Sequence, residues 1–481
     1  MKTKTLIVII LAFALALGIG APGWAKKDKP DKDVTASTIG GTVDSEFYFW
    51  RWGHMDGPHD SSKALGISRD GRVAVGSTLV VDFQRAWRSD IDWAIATDDG
   101  VPPLYNELQV QEDIGVIAPS RPSAAYAASD MLNEPSVYDL SNLSLDWGGS
   151  TPVGTYFLGT VSYAVQWLLP VLESVDDGDY VTIPDFGGGA SEMVAKDVWG
   201  TDTQSIMVGY GHNKRGPLAF RADMTDPTLD PLPVQTLTIT DSVYTEQTLR
   251  WAKAEAILMD LDAGQEWIAG YGGTKRGNRA FVTEVLDPNT DPITLLSVVL
   301  PNIDGGVWGE AYDMVMTDEV GLVVAGRSDS PKGPQACIWW LDGTTGEWVV
   351  KGLGGLSKKN KNSMATSVVH RHGSPVGELL VVGWSQTILY DSEAFVWAGN
   401  AVLEDDEIGY MYDLEYILTK TGVGELSGMG SMWILNEATG VSYNAETGNT
   451  RMVGWGINPE GGEEAWVVTG YPFDELEFTH E

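Results

Sequence analysis

The chain has 481 residues, and its 67 Asp and Glu against 31 Lys and Arg give a formal net charge of −36 at pH 7. A surface with this excess of negative charge repels nucleic acids and anionic membranes, so neither is an expected partner. Cys337 is the only cysteine, which excludes an intramolecular disulfide. Its apolar neighbours predict a buried thiol that fills space in the core.

The N-terminal region has the features of a secretory signal. Residues 1–25 combine a basic start, an apolar core from Leu6 to Gly20 and small residues before the expected cleavage site. The apolar core is too short to span a bilayer. Residues 26–44 are typical of a flexible charged leader, and residues 471–481 form a short C-terminal tail. We therefore expect a secreted monomer, periplasmic or extracellular, that leaves the membrane once the signal is cleaved.

Between these segments, residues 45–470 contain seven copies of a short unit. Each copy has an apolar run that ends in Gly, then a polar turn, then Ala followed by aromatic residues. Short apolar runs bounded by turn residues predict buried strands, and the polar turn predicts a hairpin. The copies run from Gly76 to Ala86, Gly154 to Ala164, Gly209 to Ala219, Gly270 to Ala280, Gly326 to Ala336, Gly383 to Ala394 and Gly454 to Ala465.

The spacing of the copies predicts the architecture. Successive repeat glycines are 55 to 78 residues apart, which suits a sheet of about four strands and exceeds the length of helical repeats. One such sheet cannot bury both of its faces, so neighbouring sheets must cover it. We predict an all-β fold, a seven-bladed β-propeller of antiparallel blades. An open β-solenoid and two packed sandwiches are the alternatives.

The propeller is expected to be closed by an N-terminal strand. The aromatic stretch FYFWRW begins at Phe47 and has no repeat glycine before it. A strand from one end of a propeller chain often completes a blade that the other end begins. We therefore predict that this stretch joins the sheet that contains Ala465 to Val468.

The repeat resembles that of the HAF-repeat extracellular proteins, in which an A-x-x-I-S-x-D-G strand and turn lead to V-V-G and then to A-F-x-W. The matching stretches here are ALGISRDG ending at Gly71, VAVG ending at Gly76 and EAFVW ending at Trp397. The His-Ala-Phe triplet that names the family reads Leu-Ala-Phe at Phe220 and Arg-Ala-Phe at Phe281, so its His is replaced. The resemblance implies an extracellular repeat protein and no particular activity.

Two acidic residues occupy the same place in their units. Asp197 follows Ala-Lys and Asp313 follows Ala-Tyr. If these strands line the central channel, two carboxylates face it, and a pair about 5 to 10 Å apart is the arrangement used in acid/base cleavage of glycosides. Polar residues on the innermost strands also commonly bind backbone groups or water, so a catalytic and a structural role both stay open.

Basic residues recur in three equivalent hairpins of this acidic chain. They are Lys214 and Arg215, Lys275 and Arg276, and Lys332. Equivalent loops of a propeller project from the same rim, so these cations are candidates for binding the carboxylates or sulfates of a polysaccharide. Ordinary solvation of turns explains them equally well.

No motif of the sequence indicates a metal or a cofactor. Among the six histidines only His370 and His372 are close, and their neighbours predict an exposed hairpin tip. Nucleophile-elbow and phosphate-loop motifs are absent. The favoured function is a secreted, non-enzymatic propeller that binds a glycan or an extracellular protein through rim loops. The alternatives are a polysaccharide hydrolase or lyase with channel-facing carboxylates, and a structural matrix or surface component.

Overall fold

The computed structural model describes most of the repeat region. The described residues are 48–52, 61–80, 83–91, 107–108, 112–113, 123–128, 152–158, 161–167, 180–183, 192–201, 204–214, 216–225, 234–241, 248–260, 263–275, 277–290, 292–357, 362–371, 378–401, 409–420, 433–444 and 449–470. The predicted signal, leader and C-terminal tail lie outside them. Within the described part of the chain, no helix is long and apolar enough to cross a membrane.

The fold is an all-β propeller, as the repeat predicts. Within each sheet the successive strands of a repeat pair antiparallel. Six four-stranded sheets are present rather than the seven expected, and the seventh repeat lies in a five-stranded sheet.

The first three sheets come from the N-terminal half of the repeat region. Sheet 1 contains β2 (Ser62–Ile67), β3 (Val73–Val80), β4 (Phe83–Asp90) and β6 (Glu112–Asp113). Sheet 2 contains β7 (Ser123–Ala128), β8 (Pro152–Leu158), β9 (Val161–Trp167) and β10 (Tyr180–Thr182). Sheet 3 contains β11 (Glu192–Thr201), β12 (Gln204–Asn213), β13 (Gly216–Asp223) and β14 (Val234–Thr236).

Three further four-stranded sheets follow. Sheet 4 contains β15 (Ala252–Asp260), β16 (Gln265–Thr274), β17 (Gly277–Asp287) and β18 (Thr294–Val299). Sheet 5 contains β19 (Gly309–Thr317), β20 (Gly321–Ser328), β21 (Gln335–Leu341) and β22 (Trp348–Gly354). Sheet 6 contains β23 (Ser363–His370), β24 (Leu379–Ser385), β25 (Glu393–Gly399) and β26 (Tyr410–Asp413), and the short helix α1 (Leu414–Lys420) follows it.

Sheet 7 joins the two ends of the repeat region. It contains β27 (Ile434–Asn444), β28 (Asn449–Ile457), β29 (Glu463–Gly470), β1 (Tyr48–Trp52) and β5 (Glu107–Leu108). The exceptions to the simple order of successive strands are β6 beside β4 in sheet 1 and β1 and β5 in sheet 7, where β5 runs parallel to β1. Strand β1 runs antiparallel to β29, with Phe49 opposite Val468 and Trp52 opposite Ala465. The predicted pairing of the N-terminal strand with the C-terminal repeat is therefore confirmed.

The core lies between neighbouring sheets. Aromatic residues that follow the repeat Ala, such as Phe220 and Phe281, are fully buried there. Phe281 packs with Ile206 and Val208 of the preceding sheet in one apolar cluster. Cys337 is buried in the equivalent cluster between sheets 4 and 5, as predicted, and burial raises the pKa of its thiol. Each thin sheet is thus stabilised by apolar contact with its neighbours.

A β-bulge explains why each unit needs its glycine. The first strand of each sheet along the chain has a register shift directly after an alanine. In sheet 7 this first strand is β27. The bulge brings the carbonyl group of the residue before that alanine against the repeat glycine of the second strand. A Cβ at Gly209 would overlap the Val194 carbonyl oxygen and lie 2.9 Å from Ala195 Cα. The same overlap recurs at Gly76, Gly270, Gly326, Gly383 and Gly454.

Candidate functional site at the channel mouth

The first strands of the seven sheets line one cavity of about 370 Å³. A bulge places two residues opposite one and so changes the alternation of side chains along the strand. In all seven first strands the bulged residue, directly after the alanine, faces this cavity. These residues are Leu65, Tyr126, Lys196, Glu255, Tyr312, Thr366 and Thr439.

The two predicted channel acids line the same cavity, and both of their carboxylates are bound to backbone. Asp197 accepts hydrogen bonds from the N–H of Val198 and, in the next sheet, of Ile257, both at 2.8 Å. Burial raises the pKa of Asp197 to about 6. Hydrogen bonds to backbone N–H groups of a neighbouring strand hold adjacent first strands together. This geometry identifies a structural role for Asp197.

Asp313 makes the equivalent contacts two sheets further on. It accepts hydrogen bonds from Met314 N at 2.8 Å, from Ser367 Oγ at 2.7 Å and from Val368 N at 2.8 Å. Burial raises the pKa of this carboxyl group as well. Both acids therefore connect one sheet to the next, and a catalytic role for either stays a prediction.

An arginine crosses the cavity on the side away from the repeat hairpins. Arg69 extends from the turn between β2 and β3, where Asp70 accepts a hydrogen bond from Ser68 Oγ at 2.6 Å and Gly71 has a φ of 76°. Its guanidinium group donates to the carbonyl oxygen of Ile257 and lies 3.7 Å from Asp197. The Arg69 side chain therefore lies across the cavity below the bulged residues, and we call it the Arg69 floor.

An arc of rings and charges lies on the opposite side, where the repeat hairpins are. We call it the mouth cluster, and it consists of Tyr126, Lys196, Tyr210, Lys253, Glu255, Tyr271, Glu310, Tyr312 and Arg327. Tyr210, Tyr271 and Arg327 each follow a repeat glycine in a second strand, near the hairpin that leads to the third. Their position places the cluster at the mouth of the cavity.

At one end of the arc, Lys196 lies between a ring and a carboxylate. Its Nζ is 3.3 Å from Glu255 Oε2 and 4.8 Å from the centre of the Tyr126 ring. Burial alone would lower the pKa of Lys196, but the Glu255 carboxylate together with Tyr210 and Tyr126 outweighs burial and raises that pKa. Lys196 and Glu255 are therefore a charged pair facing the cavity.

The middle of the arc is a lysine between two tyrosines. Lys253 Nζ lies 4.0 Å from the centre of the Tyr210 ring and 5.8 Å from that of Tyr271. Burial raises the pKa of Tyr210 to about 12, so its hydroxyl group stays protonated at neutral pH. The Tyr271 ring lies 6.1 Å from Trp251 and 6.0 Å from Tyr312. The Tyr210 ring, the Lys253 ammonium group and the rings of Tyr271 and Tyr312 thus form a row across sheets 3, 4 and 5.

At the other end, Glu310 collects three donors. Tyr312 Oη and Asn278 Nδ2 each donate to it at 2.5 Å, and Arg327 Nη2 lies 2.7 Å from its Oε2. Although burial alone would raise the pKa of Glu310, these hydrogen bonds and the Arg327 charge lower it. Arg327 also lies over the Trp308 ring at 5.2 Å. The Glu310 carboxylate is therefore held in place by hydrogen bonds, and the positive charge of Arg327 balances its negative charge.

A second group of charged residues lies across sheets 7 and 1. Lys63 Nζ is 3.7 Å from the centre of the Trp455 ring and 3.1 Å from Glu463. Trp455 Nε1 donates to Glu437, which lines the cavity, at 3.1 Å. Burial raises the pKa of the Glu437 carboxyl group.

The predicted basic hairpins lie on the same side as the mouth cluster. Lys214, Lys275 and Lys332 are exposed in the turns after β12, β16 and β20. Arg215 and Arg276 lie outside the described residues. A ligand-binding role for these five residues stays a prediction.

Sequence reasoning missed the mouth cluster because it followed the wrong position in the repeat. It selected Asp197 and Asp313, two residues after the alanine, where a regular strand would repeat the same face. The bulge directs the residue directly after the alanine into the cavity. The sequence did carry a signal for the cluster. The residues directly after the alanine and directly after the repeat glycine differ among the units, and in several units they are tyrosines or charged residues instead of small ones.

The histidine pair differs from its prediction. His370 is buried rather than at an exposed hairpin tip, and its Nε2 lies 3.3 Å from Glu378. His372 lies outside the described residues. No group of three His, Cys, Asp or Glu suited to a metal ion occurs among the residues that the structure describes.

Comparisons with known proteins give similarity of fold and no family. No protein-family model matches the chain, and no curated protein does. An oligogalacturonate lyase in complex with manganese is 11% identical with a TM-score of 0.44, over 89% of this chain and 96% of that one. The phage phi92 endosialidase is 10% identical with a TM-score of 0.40, over 91% and 70%. TolB from Acinetobacter baumannii is 11% identical with a TM-score of 0.32, over 82% and 80%. Similarity this low carries no argument about function.

Proposed function

We propose that the protein binds a saccharide at the mouth cluster and acts as a secreted, non-enzymatic binding propeller. The observation that carries this proposal is the row formed by the partly buried Tyr271 and Tyr312 and the buried Tyr210, beside a cavity lined by charged and apolar residues. Aromatic rings offer flat apolar faces for a sugar ring, and nearby charged groups supply directional hydrogen bonds. The mouth of a cavity lined by several blades is also where a small ligand is most enclosed.

The proposal includes a ring of seven blades, with sheet 7 as the last. Three hydrogen bonds between sheets 7 and 1 support this closure. Ala465 N donates to Ser62 Oγ at 3.0 Å, Thr439 Oγ1 donates to the Ala64 carbonyl at 3.0 Å, and Arg451 Nη1 donates to the Gly71 carbonyl at 2.7 Å. A closed ring fixes the positions of the seven bulged residues around one axis. Membership of the HAF-repeat family and export through the N-terminal signal are part of the same proposal.

A saccharide panel tests the binding function. We expect the purified chain to bind at least one oligosaccharide on a glycan array, with the affinity then measured by isothermal titration calorimetry. Tyr271→Ala is expected to weaken binding about tenfold or more, because truncating an aromatic residue at the centre of a binding site costs about 2 kcal/mol or more. Tyr390→Ala, in the hairpin after β24, removes a partly buried tyrosine outside the cluster and serves as the matched control. Equal losses in both variants would contradict the proposed site.

An enzyme that cleaves polysaccharides is the second candidate, and Glu437 favours it. Its carboxyl group faces the cavity and has a raised pKa, which suits a proton donor. Release of reducing ends from a polysaccharide, lost in Glu437→Gln with binding retained, would establish this candidate. Loss in Asp197→Asn or Asp313→Asn without unfolding would assign the chemistry to the predicted acids. Binding without any product would exclude cleavage of the polysaccharide tested.

A further inference from the structure

Lys253 differs from the other two cations of the mouth cluster. Lys196 is paired with Glu255 and Arg327 with Glu310. In the part of the chain that the structure describes, Lys253 contacts the rings of Tyr210 and Tyr271 and forms no ion pair or hydrogen bond. An ammonium group has three donors, and a partly buried one gains most from an acceptor that approaches from outside.

The two rings beside Lys253 determine what kind of acceptor fits. A free inorganic anion would contact the ammonium group alone and leave the ring faces unused. A sugar that carries an acidic group can place its ring against a tyrosine while its anionic oxygens reach Lys253 Nζ. The neighbouring carboxylates of Glu255 and Glu310 are already neutralised by Lys196 and Arg327. Among the described charged side chains of the mouth cluster, Lys253 is therefore the one that forms no ion pair.

The strongly acidic character of the chain does not oppose this arrangement. At physiological ionic strength the Debye length is about 8 Å, so distant surface carboxylates are largely screened from a ligand at the mouth. Within the same rim, Lys214 and Lys275 are exposed in the hairpins of sheets 3 and 4, the sheets that supply Tyr210 and Lys253. Two exposed cations of this rim therefore belong to the same two sheets as Tyr210 and Lys253.

We propose that Lys253, between Tyr210 and Tyr271, binds the carboxylate of a uronic acid residue in an acidic oligosaccharide. This inference rests on the proposed saccharide-binding function and specifies its substrate class. A sulfate ester, like a carboxylate, presents anionic oxygens to a cation, so the experiment must distinguish these two anionic groups.

Titration calorimetry with matched ligands tests the inference. The probes are trisaccharides of galacturonate, mannuronate and guluronate, each compared with its neutral methyl ester, together with a sulfated galactose trisaccharide. We expect one uronate to bind about tenfold or more tightly than its ester, since a charge-assisted hydrogen bond is worth roughly twice a neutral one. Lys253→Met should abolish this preference while affinity for the ester is retained. Lys253→Arg, which keeps the charge, should retain it.

The control and the possible outcomes separate this inference from the function on which it rests. Lys351→Met removes a partly buried lysine that lies over the Trp397 ring, outside the mouth cluster, and should leave the preference unchanged. A preference that survives Lys253→Met, or neutral glycans that bind at the cluster while no uronate does, would overturn the inference and leave saccharide binding intact. A Lys253-dependent preference for the sulfated probe alone would overturn the carboxylate assignment. Failure of every saccharide to bind would overturn the proposed function as well.

Discussion

Replacing a repeat glycine by alanine tests the link between the sequence unit and the propeller. Gly209→Ala places a methyl group against the Val194 carbonyl oxygen, 2.9 Å from Ala195 Cα and 3.0 Å from Phe220 Cε1. Two of these three neighbours are backbone atoms of the hydrogen-bonded ladder between β11 and β12, so they cannot move without disturbing the bulge.

The expected loss follows from two opposing terms. Overpacking of a close-packed core costs up to about 3 kcal/mol, and occasionally more. Alanine restricts the unfolded chain more than glycine does, which offsets roughly 0.4 to 1 kcal/mol. We therefore expect Gly209→Ala to lower the free energy of unfolding by about 2 kcal/mol or more.

Urea unfolding, followed by tryptophan fluorescence, measures this loss. Gly343→Ala is the matched control, because its Cβ would meet no atom within 4 Å and Gly343 is not among the glycines with positive φ. The control should change the free energy of unfolding by no more than about 0.5 kcal/mol. If Gly209→Ala were as stable as the control, the close approach of the bulge to the repeat glycine would be refuted.

Two further predictions concern the acids that connect neighbouring first strands. Asp313→Ala leaves the hydroxyl of Ser367 and the N–H of Val368 without their acceptor. Urea unfolding should therefore show that the free energy of unfolding falls by about 2 to 4 kcal/mol. The control Glu319→Ala, at an exposed position, should change it very little. Burial raises the pKa of Asp197 in the folded state from its ordinary value of 3.8 to about 6, so the folded state binds the proton more tightly. Its contribution to stability is fully present below about pH 4 and is lost as the pH rises through 6, by about 3 kcal/mol. Thermal midpoints from pH 4 to pH 7 should therefore fall more steeply in the wild type than in Asp197→Asn, and parallel profiles would contradict the raised pKa.

The sequence was sufficient to predict the strands of the repeat hairpins and the pairing of the N-terminal strand, but not β5, β6 or the parallel pairing of β5 with β1. The apolar run, the glycine and the hairpin are local features, so they specify β12 and β13 directly. The pairing of β1 with β29 followed from a surplus aromatic strand at one end of the repeats and a need for a partner at the other. The count of four-stranded sheets was less certain because the seventh repeat shares its sheet with β1 and β5.

The site was harder to predict because the bulge is a property of three-dimensional packing. If Asp197 faces the channel, strand periodicity alone places Lys196 on the opposite face. The structure has both lining the cavity, but the backbone N–H groups of the next sheet occupy the Asp197 carboxylate. Which side chains remain available to a ligand depends on such contacts between sheets, and these are distant in sequence. The surroundings of Lys253 also depend on a contact between sheets, because the Tyr210 ring beside it belongs to the preceding sheet.

A crystal structure of the protein with a bound oligosaccharide tests the central claim most directly. We predict electron density for a sugar ring against Tyr271, within hydrogen-bonding distance of Lys253 and above the Arg69 floor. A sugar bound at the outer edge of the sheets, with the mouth cluster occupied only by solvent, would contradict the account.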